Sequence, residues 1–509
     1  MTDMPPTDAA PEPHQGNIRL IIASIATLML LAALDQTIVS TALPTIVADL
    51  GGVEHLSWVV TAYFLTSTIV APLYGKLGDL YGRRNMVFIS VTLFLIGSVL
   101  CGMANSMLFL ILARALQGLG GGGIFVLVLS VIGDVIAPKD RGKFQGVFAA
   151  VFSISSVIGP LIGGGLVEIV SWHWIFYINL PIGLLAVLGF AAAFKPTGRR
   201  KKHRIDWEGA ISLSILLTGV VLLTSLGGRE FAWLSMPAFV LGAAILLGLA
   251  GFIWSESRAA EPIIPLGLFR QNVFVVTSMI GMIGGAAMFG AITFMPMYLQ
   301  VAKGVSPTIS GLQLLPMTLG IMISSQLAGR YMGRTGRYFI LPLIGLTSLM
   351  VGMLLLSTLT ATTPYWMTAI FILFVGLGMG QIFPVVTTAV QNSVAREVMG
   401  TATAAGIMFR QIGGAVGTAV FGAIFAARLT ASIGENAPAG ITGEGFDPAV
   451  LASLPAEVRD RMAEIVTHAL HPNYLIGAAL AFTGILIATR LKETKLRGRG
   501  PEPEAQPAE

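Results

Sequence analysis

Charge is scarce in this sequence. Asp, Glu, Lys and Arg make up 11% of the 509 residues, less than half the ~25% usual in soluble domains. A soluble multi-domain enzyme and a disordered chain are both excluded. Cysteine is nearly absent: Cys101 stands alone, so neither a disulfide framework nor a Cys-based metal site can form. No Gly-x4-Gly-Lys-Ser/Thr string occurs, which argues against a pump driven by its own ATPase. Met1 to Gly16 lack a basic n-region and a small-residue cleavage site. No signal peptide is expected, and the first apolar helix is read as an uncleaved insertion signal. Histidine is sparse too. His173 sits between two tryptophans, and His468 and His471 have no cysteine nearby. No paired-acid, His-metal or nucleophile–base constellation supports an enzyme, and no metal or cofactor is expected.

Apolar residues are abundant instead. They form 54% of the chain, enough for close to fourteen spans of ~20 residues. The runs do not alternate apolar with polar, which excludes a porin-type barrel. The reading is an all-α polytopic membrane protein. Fourteen spans are predicted at 18–48, 56–75, 86–104, 107–135, 144–170, 172–194, 207–227, 233–255, 273–299, 308–329, 339–358, 364–390, 399–427 and 472–490. An even number puts both termini on one side. The loops and tails of that side hold 24 of the 31 Lys and Arg. The opposite side holds Arg229, Lys303, Arg428, Arg459 and Arg461. Both termini are therefore placed in the cytoplasm of a bacterial inner or plasma membrane protein. The net charge of +5 is a topology signal directed at lipid, not at nucleic acid. The basic run Arg199 to Arg204 reads as an anchor near anionic lipid or as a regulatory site.

The chain repeats itself. Gly75, Asp79, Gly82 and Arg83 recur as Gly329, Gly333, Gly336 and Arg337, all at an offset of 254 residues, and the same offset carries Gly159 onto Gly413. The domains follow: a cytoplasmic tail at 1–17, a six-helix bundle at 18–194, a basic loop with two inserted spans at 195–272, and a second six-helix bundle at 273–490. The second bundle includes an external segment at 428–471, with a short amphipathic helix expected around Pro455 to His468. Residues 491–509 form a disordered cytoplasmic tail. Internal duplication with a site at the interface is a common plan of secondary transporters.

Two charges lie inside spans. Asp35, in the first, is costly in a bilayer and needs a polar cavity, a partner or a proton. Burial favours its protonated form and a nearby arginine its ionised form. A carboxyl balanced between the two can load and release protons; the alternative is a permanently paired structural ion. Arg114, in the fourth span, stays charged. It can bias Asp35, or bond backbone carbonyls to hold the first half together. Gln117 lies one turn on, and the glycines from Gly118 permit close helix packing. In span five, Gly159-Pro160-Leu161-Ile162-Gly163-Gly164 combines a kink with a smooth sliding face. In the loop after span two, Gly75, Asp79, Gly82, Arg83 and Arg84 suggest a conformational latch, with Asp134 as a partner for Arg83. The alternative is a positive-inside loop with turn glycines.

Together these strings resemble the major facilitator superfamily, and within it the fourteen-span drug:proton antiporters. The carriers of the resemblance are Asp35 through Ala42-Leu43-Pro44, Gly75 to Arg84, Arg114-x2-Gln117-Gly118-x-Gly120, and Gly146-x8-Ser155-x3-Gly159-Pro160-x2-Gly163-Gly164. Trp172-x-Trp174 and Ile178-Asn179-Leu180-Pro181 add to it. Ser155 stands where glycine is usual. The resemblance implies alternating access, the proton as coupling ion, and export of lipophilic drugs or related hydrophobic small molecules. It implies that Asp35 and Arg114 belong to the proton-coupling region. Asp79, set near the start of span thirteen, and Arg83, paired with Asp134, would stabilise the outward-facing state.

Substrate residues are less legible. Trp58, Tyr63, Gln117, Tyr298, Gln300, Gln313, Gln381, Arg410 and Gln411 interrupt apolar spans and are candidates for a cavity. Twelve of the 22 methionines fall between Val273 and Met379; they either re-pack around varied ligands or reflect ordinary helix composition. Asp35 is the one mid-span acid, and Arg410 adds positive charge. A dication is disfavoured against a lipophilic monocation, a neutral compound or an anion. Export of an endogenous lipid, fatty acid or metabolite is the alternative function. An external adaptor protein is an open partner, and a monomer is expected.

Overall fold

Each long apolar run becomes a helix, because in lipid every backbone N–H and C=O must be satisfied within its own segment. A computed structural model describes residues 18–51, 55–194, 204–228, 230–433 and 455–496. The first half holds α1 (Ile18–Leu50), α2 (Leu56–Tyr81), α3 (Arg83–Gly102), α4 (Met107–Val135), α5 (Pro138–Ile169), α6 (Trp174–Tyr177) and α7 (Asn179–Ala193). The inserted pair is α8 (Trp207–Leu226) and α9 (Met236–Glu256). The second half holds α10 (Asn272–Met297), α11 (Pro307–Gln313), α12 (Leu315–Thr335), α13 (Ile340–Leu356), α14 (Tyr365–Ser393), α15 (Met399–Ile433) and α16 (Ala456–Ala488). Twelve spans are long and apolar enough to cross a membrane. Helix α5 and the shorter α13 complete a fourteen-span, two-bundle architecture.

The equivalent helices of the two halves pack alike. Helix α5 lies on α1 and α15 lies on α10. A Cβ at Gly159 would run into Thr37 of α1, and a Cβ at Gly413 into the backbone of Met282 of α10. The turns after α2 and α12 also match: Gly82 and Gly336 both take positive φ, +88° and +67°, a conformation that favours glycine. The inserted helix α8 lies against α2 and α15, where Leu213 and Leu217 join Ala402 and Ala405 in one apolar cluster. The pair thus covers a seam between the halves.

Several expected boundaries move. The basic stretch from Pro138 is not a loop but the first turn of α5, with Pro138 at its start, where its missing N–H costs nothing. Arg141 turns back from there onto the carbonyls of Ile136 (3.0 Å) and Gly133 (2.5 Å). Span six is broken into α6 and α7 at Ile178, and span ten into α11 and α12. The external amphipathic helix and span fourteen are one helix, α16, which runs through Pro472. Its outer part is held by an apolar stripe of Val466, Ala469 and Leu470 packed on the second half. Residues 491–496 are not a free tail. Glu493 accepts the backbone N–H groups of Tyr338 (2.7 Å) and Phe339 (2.9 Å), and Leu496 is buried. The Arg199–His203 part of the basic run, the rest of both tails and 434–454 lie outside the described residues.

Candidate functional site: a buried ion pair, a latch and a cleft

Asp35 faces α4 and is fully buried. Its Oδ2 accepts Arg114 Nη1 at 2.7 Å. Its Oδ1 accepts Gln117 Nε2 at 2.7 Å and Asn179 Nδ2 at 3.0 Å. Arg114 also donates to Gln117 Oε1 (2.6 Å) and to the Val59 carbonyl (3.3 Å), and its guanidinium lies 4.3 Å from the centre of the Tyr63 ring. Ser98 Oγ accepts Gln117 Nε2 (2.8 Å) and Asn179 Nδ2 (3.2 Å). Local sequence builds each position. A Cβ at Gly97 would strike the backbone of Gln117, so α3 and α4 touch there and Ser98 reaches the pair. The break at Ile178 starts α7 at Asn179 and brings its amide into the centre. Asp35 and Arg114 were both singled out from sequence; Asn179 and Ser98 were not. Asn179 sits in a string already quoted for the resemblance, which was the available signal. Gln117 and Tyr63, named as cavity candidates, stand in this centre.

The same helix α1 turns its next residue but one, Thr37, toward α5. Thr37 Oγ1 donates to the Ser155 carbonyl at 3.1 Å, and Gly159 and Gly163 leave room for Thr37 and Thr41. Gly164 faces open space instead. Pro160 lies within the helical run of α5. Ser155 Oγ donates to Val151 of its own helix.

The hydrogen bonds that join the halves cluster at the cytoplasmic end. Asp79, at the end of α2, caps α15 of the other half. Its Oδ1 accepts the N–H of Gly400 (3.1 Å), and its Oδ2 accepts the N–H (2.7 Å) and hydroxyl (2.9 Å) of Thr401. An anion there meets the free N–H groups and the positive end of the helix dipole. Arg83 pairs with Asp79 and with Asp134 at 3.2 Å. Gly75 has no room for a side chain against Gly400 and Ala404. Gln391 of α14 adds a bond to the Leu129 carbonyl of α4 at 3.1 Å. Arg84 does not join this group: it donates to the Ala191 carbonyl (3.3 Å) and covers Phe88. Thr401 and Gln391 were missed from sequence, because a hydroxyl or amide near a span end carries no signal of its own.

Of the substrate-cavity candidates, only Arg410 lines the cleft described here. The cleft lies between α10, α14 and α15 and is partly open to its surroundings. Its walls include Phe383, Val386 and Val390 of α14 and Thr403, Ile407 and Arg410 of α15. Tyr298 is fully buried and donates to the Thr360 carbonyl (2.9 Å). Gln300 reaches Ser310 at 3.5 Å, and the Gln313 carbonyl accepts the Tyr365 hydroxyl. Gln381 packs beside Gly345 of α13. Trp58 is half-buried near the start of α2, and Gln411 is half-buried on α15. Many of the methionines are core: Met295, Met332, Met353 and Met379 are buried in the second half.

Residues 25–418 match the family model described as Major Facilitator Superfamily. The chain belongs to the major facilitator superfamily. It is 36% identical over 527 residues to the multidrug transporter protein MdtP of Bacillus subtilis, covering 97% of each chain. It is 35% identical to multidrug resistance protein 3 of the same organism, covering 81% of this chain and 80% of the relative. An uncharacterized MFS-type transporter of Mycobacterium tuberculosis is 38% identical over 94% of this chain and 70% of its own. Among solved structures, the human organic anion transporter MFSD10 aligns with a TM-score of 0.62 at 13% identity, over 93% of this chain and 100% of that one. The proton:xylose symporter XylE aligns with 0.61 at 15% identity, over 94% and 96%. At such identities the structural likeness speaks to the fold alone. The protein is a multi-pass transporter of the cell membrane and not an enzyme.

Proposed function

We propose that this transporter exports lipophilic small molecules in exchange for protons, with Asp35 as the proton acceptor. The observation that carries the reading is a fully buried carboxylate whose three described hydrogen-bond donors, on Arg114, Gln117 and Asn179, come from two other helices. Held this way, each Asp35 oxygen has a donor. Any movement of α4 or α7 against α1 strips it of donors. An unpaired buried carboxylate is too costly to persist and is neutralised by a proton instead. Protonation and helix movement are thereby tied together. Arg114 keeps its charge throughout, so it sets the balance without carrying the proton. In an alternating cycle the closed cytoplasmic end, held by Asp79 on α15, must open to let cargo enter from inside. Gly159 and Gly163 give α5 a close, smooth contact with α1 on which the half can rock. The multidrug names of the Bacillus relatives support drug-like cargo.

The test is efflux of the fluorescent neutral probe N-phenyl-1-naphthylamine from cells, with and without a protonophore, beside Asp35→Asn at matched membrane abundance. Wild type is expected to expel the probe only while the gradient stands, and the variant to fail. Efflux that survives the protonophore, or that Asp35→Asn sustains, overturns the reading.

A further inference from the structure

Arg410 is charged, lies within a membrane span, and lacks what Arg114 has. Arg114 is 2.7 Å from a carboxylate. Among the described residues Arg410 has no ion pair; its guanidinium lies over the Phe383 ring, 5.0 Å from the centroid. It lies 11 residues beyond Met399, the first residue of α15, so about 16 Å along the helix at 1.5 Å per residue. That places a cation well inside the bilayer, where an isolated charge is costly and marks a functional group. It faces the cleft together with Ile407, Gly406 and Thr403, at the three-, four- and seven-residue steps that share one helix face.

The cleft is kept open by residue choice. Most glycines on these helices sit where another helix leaves no room for a Cβ. Gly406 has nothing within 4 Å of that position, and Gly281, across the cleft, has its nearest neighbours at 3.9 and 4.0 Å. Two glycines with no packing demand leave empty space beside the arginine. No acid lines the cleft. Its hydroxyls are already donating: Thr387 to the Phe383 carbonyl and Thr403 to the Met399 carbonyl. The guanidinium is therefore the donor available to a ligand. The remaining walls, Val386, Val390, Ile407 and the Phe383 ring, are apolar.

We propose that this cleft is the substrate site and that it selects amphipathic organic anions, with a carboxylate or sulfonate held by Arg410 and an apolar body against α14 and Ile407. The inference rests on the export reading above and narrows its cargo. A planar guanidinium binds such a head group through two parallel N–H bonds, so lysine is a poor replacement. The floor of the site, Thr403, is bonded to Gln391, which also bonds Leu129 of the other half. The occupant thus sits one residue pair away from the seam that must open.

The experiment uses the full chain in nanodiscs, with empty nanodiscs subtracted. Equilibrium binding of 1-anilinonaphthalene-8-sulfonate is compared with that of N-phenyl-1-naphthylamine, the same skeleton without the charge. One charge-assisted contact predicts a preference for the sulfonate of about tenfold or more. Arg410→Gln is expected to reduce that ratio to less than about twofold, and Arg410→Lys to leave an intermediate value. Gly406→Leu, which fills the cleft and keeps the charge, is expected to lose both probes while remaining monodisperse. Absence of a preference in wild type, a preference that survives Arg410→Gln, or unchanged binding in Gly406→Leu overturns the site. Binding requires no gradient. A sulfonate preference without gradient-driven efflux contradicts the export reading alone, and efflux without the preference contradicts this inference alone.

Discussion

The two halves share a scaffold and differ in what they do with charge. In the first, Arg114 faces Asp35 at 2.7 Å, and both carboxylate oxygens accept hydrogen bonds. In the second, Arg410 faces a cleft and an aromatic ring. The loops differ in the same way. Asp79 of the first half reaches across to cap α15 of the second. Its counterpart is Gly333, which has no side chain to reach with, and the α12–α13 turn is capped from within its own half by Glu493. Duplication copied the helices, the packing glycines and the turn conformations. The acids were not kept in duplicate. On the proposed reading, the proton site and the cargo site lie on opposite sides of one seam.

That contrast can be broken at its strongest point first. Arg114→Gln leaves Asp35 buried without its countercharge, a loss of about 3–5 kcal/mol. The purified variant should melt well below wild type, and adding Asp35→Asn should recover most of the difference. Equal melting of the single and double variants would mean that the pair is not the source. Next is the cross-half cap. Asp79→Asn removes a charge from the α15 N-terminus, worth about 1–2 kcal/mol. Spin labels on Asn85 and Glu397, both exposed at the cytoplasmic end, should then report a larger separated population. An unchanged distance distribution would deny the latch. The smallest effect is expected at Glu493. Its replacement by Gln should cost about 1 kcal/mol of stability and leave transport alone, because this cap does not cross the seam. Impaired transport there would mean that the halves are less different than described.

The sequence made one layer of this plain and hid another. Asp35, Arg114 and Arg410 were visible because a charge in an apolar run is rare and expensive. The glycines of α5 and the turn after α2 were visible because glycine and proline constrain backbone directly. Neutral polar groups were not. Asn179 and Ser98 complete the ion-pair centre, yet asparagine and serine in a span draw no attention by type. Tyr298, Gln300 and Gln313 drew attention for a related reason: they interrupt spans because they lie at helix ends, where Tyr298 and Gln300 bond to nearby loops and helix starts. Arg84 was grouped with the latch by adjacency to Arg83, but one step along a helix turns a side chain ~100° away. The docking of residues 491–496 rests on a single carboxylate finding two free N–H groups, which no composition rule registers.

The central claim is that Asp35 carries the proton, and proton movement can be read directly. The protein is reconstituted into liposomes containing the pH dye pyranine, and N-phenyl-1-naphthylamine is driven across by its own concentration gradient. Wild type should move protons in the opposite direction to the probe, in fixed proportion to it. Asp35→Asn should move none, whatever probe movement remains. Proton movement by Asp35→Asn in wild-type proportion would contradict the account and place the proton site elsewhere.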